Sequence, residues 1–186
     1  MTGSDAMTGS DATKGSNSTP GSDTLEPWLR PEVVRWLMCL VASWDAVCSE
    51  PLLPRGLHPG GVAPRPDIAL AAALYDAPFV LLSHGTEDDP LFNYGNRLAC
   101  DLFRMSWDTL RGMPSRLSAE PDQRAERQDS LRRALEGGVI RDYSGVRIAA
   151  DGTRFLINGA TIWSVVDERG QRIGQAARFD SWQPIR

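Results

Sequence analysis

His84, Glu87, Asp88 and Asp89 sit within seven residues, HGTEDDP at 84–90. One imidazole and three carboxylates so close together could hold a cation. Adjacent side chains in a loop need not converge, however, and the twelve-residue calcium-loop pattern is missing. The other reading is a solvated acidic turn with Asp89 leading into Pro90. A second polar group comes from Tyr143, Arg116, Asp142 and Arg147. These residues could surround an anionic ligand, or form partly buried ion pairs that support the segment PSRLSAEP at 114–121. Cys39, Cys48 and Cys100 contain no CxxC pair, and the chain has only two histidines, His58 and His84. A zinc cage is not expected, and the thiols read as free and buried. No GxSxG segment and no paired Cys and His supplies a nucleophile with its base. HPGGVAP at 58–64 is broken by prolines and opens no strand–helix unit, so it is not a phosphate loop. The sequence therefore predicts no enzyme.

The elements that must position these residues begin at a junction, PLFNYGNRLACDLF at 90–103. Leu91, Phe92 and Tyr94 have strand composition, whereas Leu98, Ala99, Leu102 and Phe103 recur at helical spacing. Gly95 and Asn96 mark the change, with Asn96 placed to cap the helix. Upstream, Pro31 to about Val47 reads as an amphipathic helix. Val33, Trp36, Leu37, Leu40, Val41, Trp44 and Val47 form its apolar stripe. That stripe, carrying Trp36, Leu40 and Trp44, either packs on the chain's own sheet or forms a seam with a partner. Arg35 and Asp45 interrupt it, and it is too short to span a bilayer. The prolines and glycines of SEPLLPRGLHPGGVAPRPD exclude regular structure and predict an ordered loop wrapping the surface, and DIALAAALYDAP at 67–78 predicts a second helix capped by Asp67. FVLLSHG at 79–85 predicts a first strand and residues 91–94 a second. Helical turns follow over 96–105 and, with Ser106 as cap, over 107–111. A longer helix is expected over 122–136. Three long strands, 139–149, 153–166 and 171–182, are joined by the hairpin signals DG at 151–152 and DERG at 167–170. This is an α+β arrangement on one open antiparallel sheet. In the central strand Phe155, Ile157, Thr161, Trp163 and Val165 should share one face, and Leu156, Asn158, Ala160, Ile162 and Val166 the other. Both sets are largely apolar, so both faces should be covered, one of them by the helix at 31–47.

A chain of 186 residues with 41% hydrophobic and 24% charged residues supports one globular core. Its net charge of -4 leaves no basic footprint for nucleic acid. Residues 1–24 are almost devoid of apolar side chains, with MTGSDA occurring twice, and should be a disordered tail. Free thiols and the lack of a signal peptide point to the cytoplasm.

The segments LSHGTEDDPLFNYGN, PSRLSAEP and DYSGVRI, in that order, closely resemble the MEKHLA domain, itself similar to PAS domains. The resemblance covers about residues 68–185, which divides the chain into a tail at 1–24, a helix and Pro/Gly-rich loop at 25–67, and a PAS-like domain at 68–186. It implies a five-stranded antiparallel sheet with inserted helices, and a sensory or regulatory role that involves a small organic ligand and signals to a separate protein. The alternative is a ligand-free module that pairs through the helix at 31–47. The ligand-pocket candidates are Tyr94, Asn96, Cys100, Phe103, Trp107, Met113 and Arg116 from the helical side, with Tyr143 and either Asn158 or Trp163 from the strands, according to which parity of the central strand faces inward. Haem is not expected, because no histidine lies in the long middle helix. Blue-light flavin chemistry is not expected either, because Cys100 follows the second strand directly and no Asn-Cys motif accompanies it.

Overall fold

A computed structural model describes residues 26–57, 65–119 and 138–185. The expected tail, His58 and the expected helix at 122–136 lie outside those residues. Helix α1 (Pro31–Val47) opens on Pro31 with Glu32 in its first turn. Helix α2 spans Pro66–Tyr75, and it departs from expectation at its start. Pro66 and Asp67 both lie inside the first turn, the cap position is taken by Arg65, and Asp67 pairs with Arg65 at 3.1 Å. Proline at this position presets the helical φ and has no N–H to satisfy, so no side-chain cap is required. No described helix is long and apolar enough to cross a membrane.

The strands are β1 (Val80–His84), β2 (Phe92–Gly95), β3 (Val139–Ile148), β4 (Arg154–Val166), β5 (Arg172–Phe179) and β6 (Ser181–Ile185), in the spatial order β2-β1-β5-β4-β3, with β6 also on β4. All pairings are antiparallel. The expected fifth strand is broken at Asp180, so the sheet has six strands where five were expected. The break leaves the register intact. Arg178 faces Thr161, and three residues on Ser181 faces Asn158, so β6 continues β5 along the same edge of β4. Helices α3 (Arg97–Phe103) and α4 (Trp107–Leu110) follow β2 directly. Each has the side-chain cap its sequence signalled: Asn96 Oδ1 accepts from Ala99 N and Ser106 Oγ from Thr109 N, both at 3.1 Å.

The alternation expected along β4 fails at one residue. Gly159 has φ of +64° and Asp142, on the neighbouring strand, +57°. Between Ile140 and Tyr143 the extra residue belongs to β3; between Tyr143 and Gly145 it belongs to β4. The two bulges compensate, and each shifts the pleat by one. Phe155 and Ile157 therefore share a face with Ala160 and Ile162, while Trp163 and Val165 take the other. Residues opposed across the sheet share a face. Trp163, Ala176, Ser83 and Tyr94 form one such row; Ile162, Ala177, Leu82 and Gly95 form the other.

Helix α1 lies on the Trp163 side. Trp163 Nε1 donates to Leu40 O at 3.2 Å, Val166 N to Ser43 Oγ at 2.9 Å, and Trp36 Nε1 to Ser83 Oγ at 2.8 Å. Trp44 meets Trp163 edge to face, with centroids 4.8 Å apart. Trp36 lies over β5 where Gly174 leaves room, because a methyl there would overlap both the indole and His84 O.

Candidate functional site

The opposite face of the sheet bounds a cavity of about 260 Å3. Its apolar wall is Ile157, Ala160 and Ile162 from β4, with Phe103 from α3, Phe92 from β2 and Phe179 from β5. Phe103 meets Phe155 edge to face at 5.2 Å, which fixes α3 against the sheet beside that wall. The polar lining comes from four places, the last of them β3. β1 and its loop bring His84 and Glu87; the turn at Ser115–Ser118 brings Ser115, Arg116 and Ser118; β5 brings Arg172 and Gln175.

Strand β3 supplies the most deeply buried charge. Tyr143, Gly145 and Arg147 alternate on the cavity side, and Arg147 is only 5% exposed. Arg147 Nη2 donates to the Tyr143 hydroxyl at 3.2 Å and Nη1 to Val146 O at 2.7 Å. The glycine between them is required: a Cβ at 145 would stand 2.5 Å from the phenol oxygen and 3.1 Å from Nη1. Arg116 is placed differently. It pairs with Asp89 at 2.9 Å, with both side chains nearly half exposed. Asp142, grouped with these residues by sequence, is exposed.

Of the residues expected to form a pocket, Phe103, Arg116 and Tyr143 line this cavity and the other seven do not. Tyr94 is fully buried in the Trp163 row, on the far side of the sheet. Burial pushes its phenol well above the usual tyrosine range, and its hydroxyl has no hydrogen-bond partner among the described residues. Asn96, also fully buried, is a hub for backbone. Its Oδ1 accepts from Leu81 N and Ala99 N, each at 3.1 Å, and Nδ2 donates to Phe79 O at 2.7 Å and Leu74 O at 3.4 Å. Cys100 points its thiol at Gly95 O, 4.0 Å away, and burial pushes its pKa up to about 11. Trp107 is buried under the Arg111 guanidinium, and Met113 packs at the edge of the core. Asn158 and Trp163 stood as alternatives for the two possible parities of β4; because the bulge at Gly159 puts Ile157 and Ala160 on the same face, neither of them lines the cavity. The expected partner residues are also turned inward. Leu40 and Trp44 are buried and Trp36 is half-buried, all three against the chain's own sheet.

His84 and Glu87 had drawn attention only as cation ligands; among the described residues no three His, Cys, Asp or Glu side chains converge as a metal site. Sequence reasoning missed the contribution of β5. Gln175, Ala177 and Phe179 recur at every second position, the one signal by which they could have been found.

A family model described as MEKHLA domain matches residues 34–184, a span that begins inside α1. No protein of curated function matches the chain. Among solved structures, a PAS domain from Colwellia psychrerythraea is similar with a TM-score of 0.53 at 15% identity, over 62% of this chain and 93% of that one. A light-oxygen-voltage domain, solved with a flavin analogue, has a TM-score of 0.50 at 17% identity, over 63% and 85% of the two chains. An RNA-binding light-oxygen-voltage receptor has 0.52 at 19%, covering 68% of this chain but only 34% of the receptor. At these identities the likeness is one of fold, and it fits the strand order and helix insertion described above.

Proposed function

The chain belongs to the MEKHLA domain family, and from that premise we propose that it is a PAS-like sensory or regulatory domain. It holds a small organic molecule between the inner sheet face and the inserted helices, and it passes the occupancy of that space to a partner. The carrying observation is the cavity of about 260 Å3 with one apolar wall and polar groups gathered on the others. That combination characterises ligand sites, although the volume lies below the roughly 300–1,000 Å3 of drug-sized ones, so the occupant is small.

A route out of the cavity supports the signalling half of the reading. His84 lines the cavity, and the adjacent Ser83 turns to the other face, where it accepts from Trp36 of α1 at 2.8 Å and donates to Asn93 Oδ1 at 2.7 Å. Displacement of β1 by an occupant moves Ser83 and therefore α1. The other reading, a ligand-free module that pairs through α1, is weakened because Trp36, Leu40 and Trp44 face inward. Glu32, Arg35 and Asp45 are left outward.

Flavin deserves its own test, since light-oxygen-voltage domains share the fold. No cysteine lines the cavity, and the Cys100 thiol is occupied by Gly95 O and held protonated by burial. Thiol-adduct photochemistry does not fit these residues, and the reading includes no catalytic step. A thermal-shift screen of metabolites, with native mass spectrometry of freshly purified protein, tests the proposal. A bound species or a stabilising compound supports it; a ligand at 100 times its Kd adds about 2.7 kcal/mol. The absence of both overturns it.

A further inference from the structure

The first bulge in β3 connects the two faces of the sheet. In an unbroken strand residues 141 and 143 share a face. Here β3 carries one residue more than β4 between Ile140 and Tyr143, and Asp142 sits there at φ of +57°. The extra residue sends its two neighbours to opposite sides. Tyr143 lines the cavity, whereas Arg141 reaches the end of α1, where its Nη2 donates to Val47 O at 2.6 Å. Val47 is the last residue of α1, so no amide of the helix can reach its carbonyl. A guanidinium there satisfies the acceptor and complements the negative end of the helix. The bonds that fix the rest of α1, from Trp163 to Leu40 O, Val166 to Ser43 Oγ and Trp36 to Ser83 Oγ, lie wholly or partly buried, but the bond from Arg141 is exposed. It is therefore the easiest of these to open. On the other face Tyr143 stands opposite Ala160, and both line the cavity. A single residue in the left-handed region separates a cavity wall from the contact that closes the last turn of α1.

We propose that filling the cavity unlocks the last turn of α1. An occupant beside Ala160 presses on Tyr143, β3 turns about Asp142, and Arg141 withdraws from Val47 O. The signal then leaves the domain at the C-terminal end of α1. Arg141 is a positioning residue in this device and touches no ligand. The inference rests on the reading of this chain as a ligand-holding domain and adds where occupancy is read.

A substitution that fills the cavity from its own wall tests this without a ligand. Ala160→Leu places a branched side chain beside Tyr143, and hydrogen–deuterium exchange of the full chain, followed by NMR, reads the amides at 45–48. Their exchange should quicken about two- to fivefold, the factor that corresponds to losing a cation at an exposed helix C-terminus. The amides of Leu40 and Val41, in the middle of the helix, should keep their rates. Arg141→Gln should give the same rise on its own, and Ala160→Leu added to it should give no more, because both act through one contact. Circular dichroism checks the fold, and Ala160→Val takes the place of Ala160→Leu should the larger side chain prevent folding. Unchanged exchange at 45–48, a rise shared by every amide of α1, or effects of the two substitutions that multiply in full would each overturn the proposal. The metabolite screen fails separately. A bound compound with no change at 45–48 leaves the ligand-holding reading standing and overturns the coupling; a loosened last turn in Ala160→Leu with no compound bound supports the coupling and overturns the reading.

Discussion

Asn96 ties four backbone groups together from a fully buried position, and its replacement separates the consequences of that role. In Asn96→Ala, α3 loses its cap, worth about 0.5–2 kcal/mol. The buried Leu81 N–H and Phe79 C=O lose their side-chain partners, at about 1–3 kcal/mol each. Allowing for non-additivity, the loss is about 3–5 kcal/mol, a large part of the roughly 5–15 kcal/mol that stabilises a domain. Asn96→Asp has nearly the same shape and keeps the acceptor toward Leu81 N and Ala99 N. It replaces Nδ2, however, with an oxygen facing Phe79 O and Leu74 O. Those carbonyls and the burial disfavour the charged form, so the new carboxyl has a folded pKa above its unfolded value of about 3.9. The folded state then binds more protons, and stability falls as pH rises from about 4 to the raised pKa. The slope reaches about 1.4 kcal/mol per pH unit, so between pH 5 and 7 the deficit relative to wild type grows by up to about 2.7 kcal/mol. Urea unfolding followed by tryptophan fluorescence at both pH values measures it. A deficit for Asn96→Asp that is equal at pH 5 and 7, or a loss below 1 kcal/mol for Asn96→Ala, would refute the hub.

Gly174→Ala forces a methyl into His84 O and the Trp36 ring and should cost at least about 3 kcal/mol by thermal unfolding. Gly159→Ala meets nothing within 4 Å but must hold φ of +64°, and should cost only about 1–2 kcal/mol; equal losses would contradict the geometry. Trp163→Phe removes the donor to Leu40 O, lowering stability by about 1–2 kcal/mol in the same assay, and leaves ligand affinity unchanged because it lies across the sheet from the cavity. With a pKa of about 11, the Cys100 thiol is about one-thousandth ionised at pH 8. Alkylation by iodoacetamide, mapped by mass spectrometry, should therefore spare it until the protein unfolds, and rapid native labelling would contradict its placement.

Much of this architecture was legible in the sequence because local chemistry set it. Asn96 and Ser106 capped the helices they preceded. The hairpin at 167–170 formed as Asp-Glu-Arg-Gly signals, with Asp167 Oδ1 accepting from Arg169 N and Gln171 N at 2.9 and 2.8 Å, and Gly170 at φ of +75°. The cavity was less legible, for a reason specific to β4. When both faces of a strand are apolar, hydrophobicity cannot say which one faces a ligand, and one positive-φ residue reverses the answer for everything after it. Asn158 and Trp163 were the alternatives for the two parities, and the single step at Gly159 leaves neither on the cavity side. Tyr94 and Cys100 follow from the same difficulty, since a short strand running into a helix gives no parity of its own. The spacing Tyr-x-Gly-x-Arg at 143–147 did carry the information, because in a strand it places a phenol and a guanidinium on one face with nothing between them.

The claim on which the account depends is that a small organic molecule occupies the space over β4 on the side away from α1. A fragment screen read on the isoleucine methyl resonances of isotopically labelled protein tests it most directly. The account predicts fragments that shift Ile157 and Ile162, the two isoleucines lining the cavity, and leave Ile68 of α2 in place. A screen in which no fragment moves Ile157 or Ile162 would contradict it.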